Sequence, residues 1–192
     1  MTTPYYVIVE TDSAYNNEKK ITDDISIVVN TTIESVEHIN RKGKVIASPS
    51  FTILKEGDEV ILHHNIFRLR NGVKGEKVES NFFIEDGKYF VPPTEIFMFR
   101  RDGGEWEALD PYCFIRPIKE DKKEEGIFKG DIDSYKGNKK QYGVVVHPNK
   151  EMLQMGLKRG DTVIFSKYSE YEFEISGEIL YKMETKDILA VI

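Results

Sequence analysis

The chain has 192 residues, of which 40% are hydrophobic and 11% aromatic, enough for ordinary globular cores, while a 31% charged fraction keeps the surface solvated. The formal net charge is -6 and no block of Lys/Arg stands free of Asp/Glu, which leaves the phosphate backbone of a nucleic acid nothing to grip, so no nucleic-acid partner is expected. No apolar run reaches membrane-spanning length, and Met1 to Glu10 lacks the basic start and long apolar region of a signal peptide, so a cytoplasmic protein with no membrane partner is expected.

Along the chain, Pro4-Tyr5-Tyr6-Val7-Ile8-Val9 reads as a strand entered through a proline. A polar stretch, Thr11 to Asp24, follows and leads to Ile27-Val28-Val29. Lys44-Val45-Ile46-Ala47-Ser48-Pro49 is a second short strand stopped by proline. Leu54 to Leu62 contains Gly57-Asp58, a tight turn in which glycine tolerates positive φ and aspartate bonds nearby amides, and then enters a strand. In Phe67 to Asn81, the pairs Asn71-Gly72 and Lys74-Gly75 suit an extra hairpin. Phe83-Ile84 with Gly87, then Thr94 to Phe99, complete this half. Turn-forming Arg101-Asp102-Gly103-Gly104-Glu105 marks the boundary, giving expected domains 1–105 and 106–192.

The same series returns about a hundred residues later. Pro111-Tyr112-Cys113-Phe114-Ile115-Arg116 answers the first strand, and Gly143-Val144-Val145-Val146-His147-Pro148 the second. Leu157-Lys158-Arg159-Gly160-Asp161-Thr162-Val163-Ile164-Phe165 matches Leu54 to Leu62 at six of nine positions. Phe173-Glu174-Ile175 with Gly177, then Lys186 to Val191, repeat the ending. Helix signals are confined to one turn in Glu151 to Leu157, so the chain is expected to be all-β, a duplication of a small β domain.

Residues that carry chemistry are sparse. The single cysteine, Cys113, lies in a strand and reads as a buried structural thiol. His63-His64, read as strand neighbours on opposite faces, lack metal-ligand spacing to His38 or His147. With no dinucleotide fingerprint, nucleophile elbow, P-loop or cysteine cluster, no enzyme, catalytic residue, metal or cofactor is expected.

Leu157 to Phe165, the tyrosine-containing Lys167 to Tyr171 and the closing Glu184 to Ile192 together resemble the GroES-type co-chaperonin family in residue type and spacing. The first half resembles it more loosely, through Tyr5 to Val9, Lys44 to Pro49, Leu54 to Leu62 and Glu95 to Phe99. The resemblance implies two tandem GroES-like, partly open β-barrels, each with a long mobile loop after its first strand. It also implies a homo-oligomeric ring capping a GroEL-like chaperonin ring around an unfolded client protein. By position, Gly126-Ile127-Phe128 after the polar run Lys119 to Glu125 resembles the family's apolar docking motif. Ile27-Val28-Val29 stands at the matching place of the first half without the preceding glycine. Read from β propensity, the alternative for Ile27 to Val29 is a core strand, in a hairpin of Asp24–Val29 with Ile33–Ile39. The roof connections, Ser48 to Leu54 and Pro148 to Leu157, are shorter than the family's. The alternative function is a β-rich structural or adaptor module, perhaps viral, that keeps the fold without chaperonin binding.

Overall fold

A computed structural model of the protein describes residues 3–15, 18–22, 25–28, 39–119 and 138–192. The described chain is nearly all β and divides into two compact units, Met1–Trp106 and Glu107–Ile192. Unit 1 contains β1 (Val7–Glu10), β2 (Glu18–Thr22), β3 (Ile25–Val28), β4 (Lys42–Ala47), β5 (Glu59–Leu62), β6 (Arg70–Asn71), β7 (Lys77–Val78), β8 (Phe83–Glu85), β9 (Lys88–Val91) and β10 (Ile96–Arg100). Unit 2 begins with the short β11 (Glu107–Ala108). It continues through β12 (Tyr112–Lys119), β13 (Asn138–His147), the one-turn helix α1 (Lys150–Gln154), β14 (Thr162–Phe165), β15 (Tyr171–Ile175), β16 (Glu178–Glu184) and β17 (Ile188–Val191).

The principal sheet of unit 1 has the order β8-β9-β1-β4-β5-β10, and that of unit 2 the order β15-β16-β12-β13-β14-β17. Strand for strand these two six-strand orders are one arrangement, with the first strand of each repeat third in the order and its last strand sixth. The registers agree as well. Val7 lies opposite Val91 and Val9 opposite Val45; in unit 2, Cys113 lies opposite Met183 and Ile115 opposite Val145. A bulge interrupts the ladder between Ile8 and Val9, and another between Phe114 and Ile115.

This register corrects the alignment drawn through the prolines, which placed Val7 on Phe114 and Lys44 on Gly143. Val7 occupies the place of Cys113, and Gly43 that of Gly143, each one residue away. The entering prolines lie outside the ladder and do not constrain it; the glycines do. A Cβ at Gly43 would stand 2.2 Å from Val9 Cγ1, and at Gly143 it would stand 2.3 Å from Ile115 Cγ2 and 2.8 Å from the Arg116 carbonyl oxygen. Only glycine allows the first and second strands to approach so closely at this step.

Turn chemistry repeats with the same fidelity. Gly57 and Gly160 take φ of 92° and 95°, and their amides donate to the carbonyls of Val45 and Val145, each at 2.8 Å. The following aspartates accept from the amides of Lys55 and Lys158, again at 2.8 Å in both units. Asp86-Gly87 and Ser176-Gly177 have positive φ at both positions, as a two-residue hairpin turn matched to right-handed strand twist requires.

The core of unit 2 gathers Cys113, Ile115, Val145, Met152, Val163, Phe165, Tyr181 and Met183. Helix α1 delivers Met152; its cap is Asn149, which accepts from the Met152 amide at 2.8 Å and donates to Thr185 Oγ1 at 2.7 Å. Burial pushes the Cys113 thiol up to about 12, so it stays protonated, as a structural thiol should. In unit 1 the expected extra hairpin forms as β6 and β7, with Arg70 opposite Val78. His63 and His64 do not lie on a strand: β5 ends at Leu62, a 3-10 turn begins, and the two rings stack with centroids 4.2 Å apart.

Candidate docking segments

In unit 2 the residues that resemble the docking motif, Gly126, Ile127 and Phe128, lie outside the described residues. Their bracket is described. Lys119 at the end of β12 pairs with Asn138 at the start of β13, so the two residues that flank 120–137 are fixed side by side. Asn138 Nδ2 donates to the buried Tyr181 hydroxyl at 3.0 Å. Burial raises the Tyr181 pKa, and the Asn138 hydrogen bond only partly offsets this, so the phenol stays neutral. Gln141 adopts φ 62° and sends Nε2 to the Phe165 carbonyl at 3.0 Å, a second tie from the returning strand to the core. Lys139 Nζ sits 3.8 Å from the centroid of the Tyr142 ring.

On β12, Arg116 is hydrogen-bonded to Glu178 of the neighbouring β16. That bond is the main reason the carboxylate pKa is lowered and the guanidinium pKa raised. Both groups are well exposed, so the pair orders the surface more than it stabilises the fold.

In unit 1 the matching interval begins after β1 and ends before β4, and its neck is closed by Asn40. The Asn40 amide donates to Thr11 Oγ1 at 2.7 Å, the Ser13 carbonyl at 2.8 Å and the Lys42 carbonyl at 3.1 Å, and its oxygen accepts from the Lys42 amide. Tyr15 and Ile39 form a single bridge just beyond. Thr11 is held on its other side by Gly87, where a Cβ would come within 2.6 Å of the Thr11 carbonyl oxygen.

Ile27 and Val28 lie in β3, which pairs with β2, Lys19 opposite Ile27 and Glu18 opposite Val28. The described partner of β3 is therefore Glu18–Thr22, within the stretch read as a polar arm, while residues 33–38 of the expected hairpin lie outside the described residues. Val29 lies outside the described residues. The alternating Lys19-Lys20-Ile21-Thr22 run hid this strand, because its apolar content is too low to announce one. Sequence reasoning also missed Asn40 and Asn138 as the polar ties at the two necks.

The profile of the Chaperonin 10 Kd subunit family matches residues 107–192. Co-chaperonin GroES of Kosmotoga olearia is 38% identical over 83 residues, covering 43% of this chain and 90% of that protein. Co-chaperonin GroES of Thermosipho africanus is 40% identical over 85 residues, covering 44% of this chain and 92% of its own. That of Fusobacterium nucleatum subsp. polymorphum is 41% identical over 80 residues, covering 41% and 87%. The chain belongs to the chaperonin 10 family. The chaperonin 10 match coincides with unit 2, so Lys119, Asn138 and the bracketed segment all fall inside it. No helix among the described residues is long and apolar enough to cross a membrane.

Proposed function

We propose that this chain is a non-catalytic co-chaperonin, which docks on a chaperonin ring through segment 120–137 and closes a chamber in which a client protein folds. The observation that supports the reading is the strand pair Lys119–Asn138, which falls inside the family match and between whose members the sequence carries Gly126-Ile127-Phe128. Ile127 and Phe128 are flanked by charged residues on both sides, so their burial waits for a groove supplied by a partner. Burying two such side chains yields on the order of a few kcal/mol at about 25 cal/mol per Å², much of it offset by ordering the segment. One segment alone therefore binds weakly, and several copies on a ring supply avidity while allowing release.

Unit 1 is, on this reading, a divergent copy of the same domain, supported by its identical strand order, bulge position and turn hydrogen bonds. Its Ile27, Val28 and Val29 form the second, weaker docking element. One chain then contributes two ring positions.

The test is a pulldown and native mass measurement with a chaperonin ring, with and without ATP. Nucleotide-dependent binding by the intact chain is expected, with loss in an Ile127→Ala/Phe128→Ala variant and a smaller loss in Ile27→Ala/Val28→Ala. An intact chain that ignores the ring under every nucleotide condition returns the protein to the structural or adaptor reading.

A further inference from the structure

Unit 2 spans the interval between β14 and β15 with Ser166–Glu170, whereas unit 1 uses His63–Phe82 for the equivalent interval. Residues of this longer connection line an open cleft of about 530 Å³, within the size range of small-molecule sites. Asn65, Arg68, Arg70, Asn71 and Asn81 bring guanidinium and amide groups to it, Leu69 and Phe82 form an apolar wall, and among the described residues no carboxylate lines it.

The state of the two arginines distinguishes the cavity from ordinary surface. Arg100, Arg101 and Arg116 each hold a carboxylate, Glu59, Asp58 and Glu178 respectively. Neither Arg68 nor Arg70 makes an ion pair with a described residue, in a chain where acids outnumber bases by 33 to 27. The walls are also held in place. Ile66 and Phe67, fully buried, anchor the chain just before Arg68. Ser80 Oγ donates to the Ile66 carbonyl at 2.6 Å and accepts from the Phe82 amide, which ties the return of the loop to its start. The Leu69 amide, between the arginines, donates to the Tyr15 hydroxyl at 3.1 Å. Nearby His64 senses the field: after burial, the positive charges of His63, Arg41 and Arg68 push its pKa down.

We propose that this cavity binds a small organic phosphate, with the Arg68 and Arg70 guanidinium groups and the asparagine amides holding the phosphoryl oxygens while Leu69 and Phe82 contact the organic part. Two planar forks on alternate residues suit the several oxygens of a phosphoryl group, which a single lysine would meet only as a point charge. The site belongs to unit 1 alone, since unit 2 has no counterpart of the connection that builds it.

The test uses the full chain without any chaperonin, so that its outcome is independent of ring docking. Calorimetric titration with AMP, glucose 6-phosphate and inorganic phosphate is expected to show binding of at least one organic phosphate, tighter than inorganic phosphate. Arg68→Ala/Arg70→Ala should weaken that binding roughly tenfold or more, with an unchanged unfolding midpoint. Arg68→Lys/Arg70→Lys, which keeps charge and fold, should also weaken it. Failure of all three probes at millimolar concentration, equal binding of inorganic and organic phosphate, or binding indifferent to both double variants would overturn the proposal.

Discussion

The two units build one sheet with different parts, and the place where they differ most is the centre of the core. In unit 2, Phe165 ends β14, its ring lies 3.5 Å from where a Gly143 Cβ would stand, and it meets Tyr181 edge-on at 6.1 Å. Unit 1 has Leu62 at that ladder position, opposite Ile96 as Phe165 is opposite Ile188. The ring beside Gly43 is instead that of Phe67, five residues farther along, and it meets Tyr89 edge-on at 4.7 Å. An aromatic pair is thus kept while its phenylalanine is supplied from a different point in the chain. Packing selects the volume and leaves open which residue fills it.

The second difference is electrostatic. Asp58 is 1% exposed and receives both Nε and an Nη of Arg101 at 2.8 Å, in addition to the Lys55 amide. Asp161 makes the same backbone bond from a half-buried position. Burial pushes the Asp58 pKa up, but the Arg101 and Lys55 hydrogen bonds outweigh it and the net displacement is downward. The carboxylate is therefore charged in the folded protein, and Arg101 also bonds the Ile53 carbonyl at 3.1 Å.

The sharpest way to break the equivalence of the units is to remove that aspartate from each. Asp58→Ala is expected to cost about 2–4 kcal/mol, because a part-buried turn amide and a guanidinium both lose their acceptor. Asp161→Ala should cost about 1 kcal/mol. Denaturant unfolding of the two variants measures the difference, and equal costs would show that Arg101 adds nothing.

Alanine at the two close-approach glycines comes next. Gly143→Ala should destabilise by about 1–3 kcal/mol, since the new Cβ meets a backbone oxygen as well as Ile115. Gly43→Ala should cost somewhat less, its nearest backbone atom being the Glu10 oxygen at 3.1 Å. Unfolding midpoints of the pair test the corrected register directly. If Lys44 rather than Gly43 were the counterpart of Gly143, Gly43→Ala would be nearly silent.

The smallest expected effect is the pH dependence that His64 adds in unit 1. His64 has its pKa lowered to about 4 by burial and then by the charges of His63, Arg41 and Arg68. Between about pH 6.5 and about pH 4 the unfolded chain binds a proton that the folded chain refuses, so stability falls as pH drops through this window. The Asp58 contribution has the opposite origin. It is present above the unfolded carboxylate value and is lost only as pH falls below about 4, through the lowered folded value. Amide exchange across the acid range should resolve the two windows, and His64→Gln should remove the upper one.

Much of this was legible in the linear chain. The repeated Leu-Lys-x-Gly-Asp-x-Val-Ile string specified its turn and its strand, because positive φ and an amide-accepting aspartate are local demands that few other residue pairs meet. The two-residue hairpins and the extra β6–β7 ribbon were readable from their Gly pairs for the same reason. Gly126-Ile127-Phe128 and Ile27-Val28-Val29 stand out in the linear chain as apolar side chains that follow polar runs, and their docking role belongs to the proposal. The β2 strand was not legible, since Glu18 to Thr22 carries one apolar residue, Ile21, and so offers no hydrophobic pattern to read.

By itself, then, the sequence determined the all-β class, the turn positions and the family, since each rests on short-range backbone preferences or on residue identity. The tertiary structure alone decided the register of the first strands, the stacking of His63 on His64, the Asp58–Arg101 pair and the substitution of Phe67 for Phe165. Each of these depends on which atoms meet across distant segments, and in a close-packed interior that is settled by volume and by the pairing of buried polar groups, neither of which is written in local sequence order.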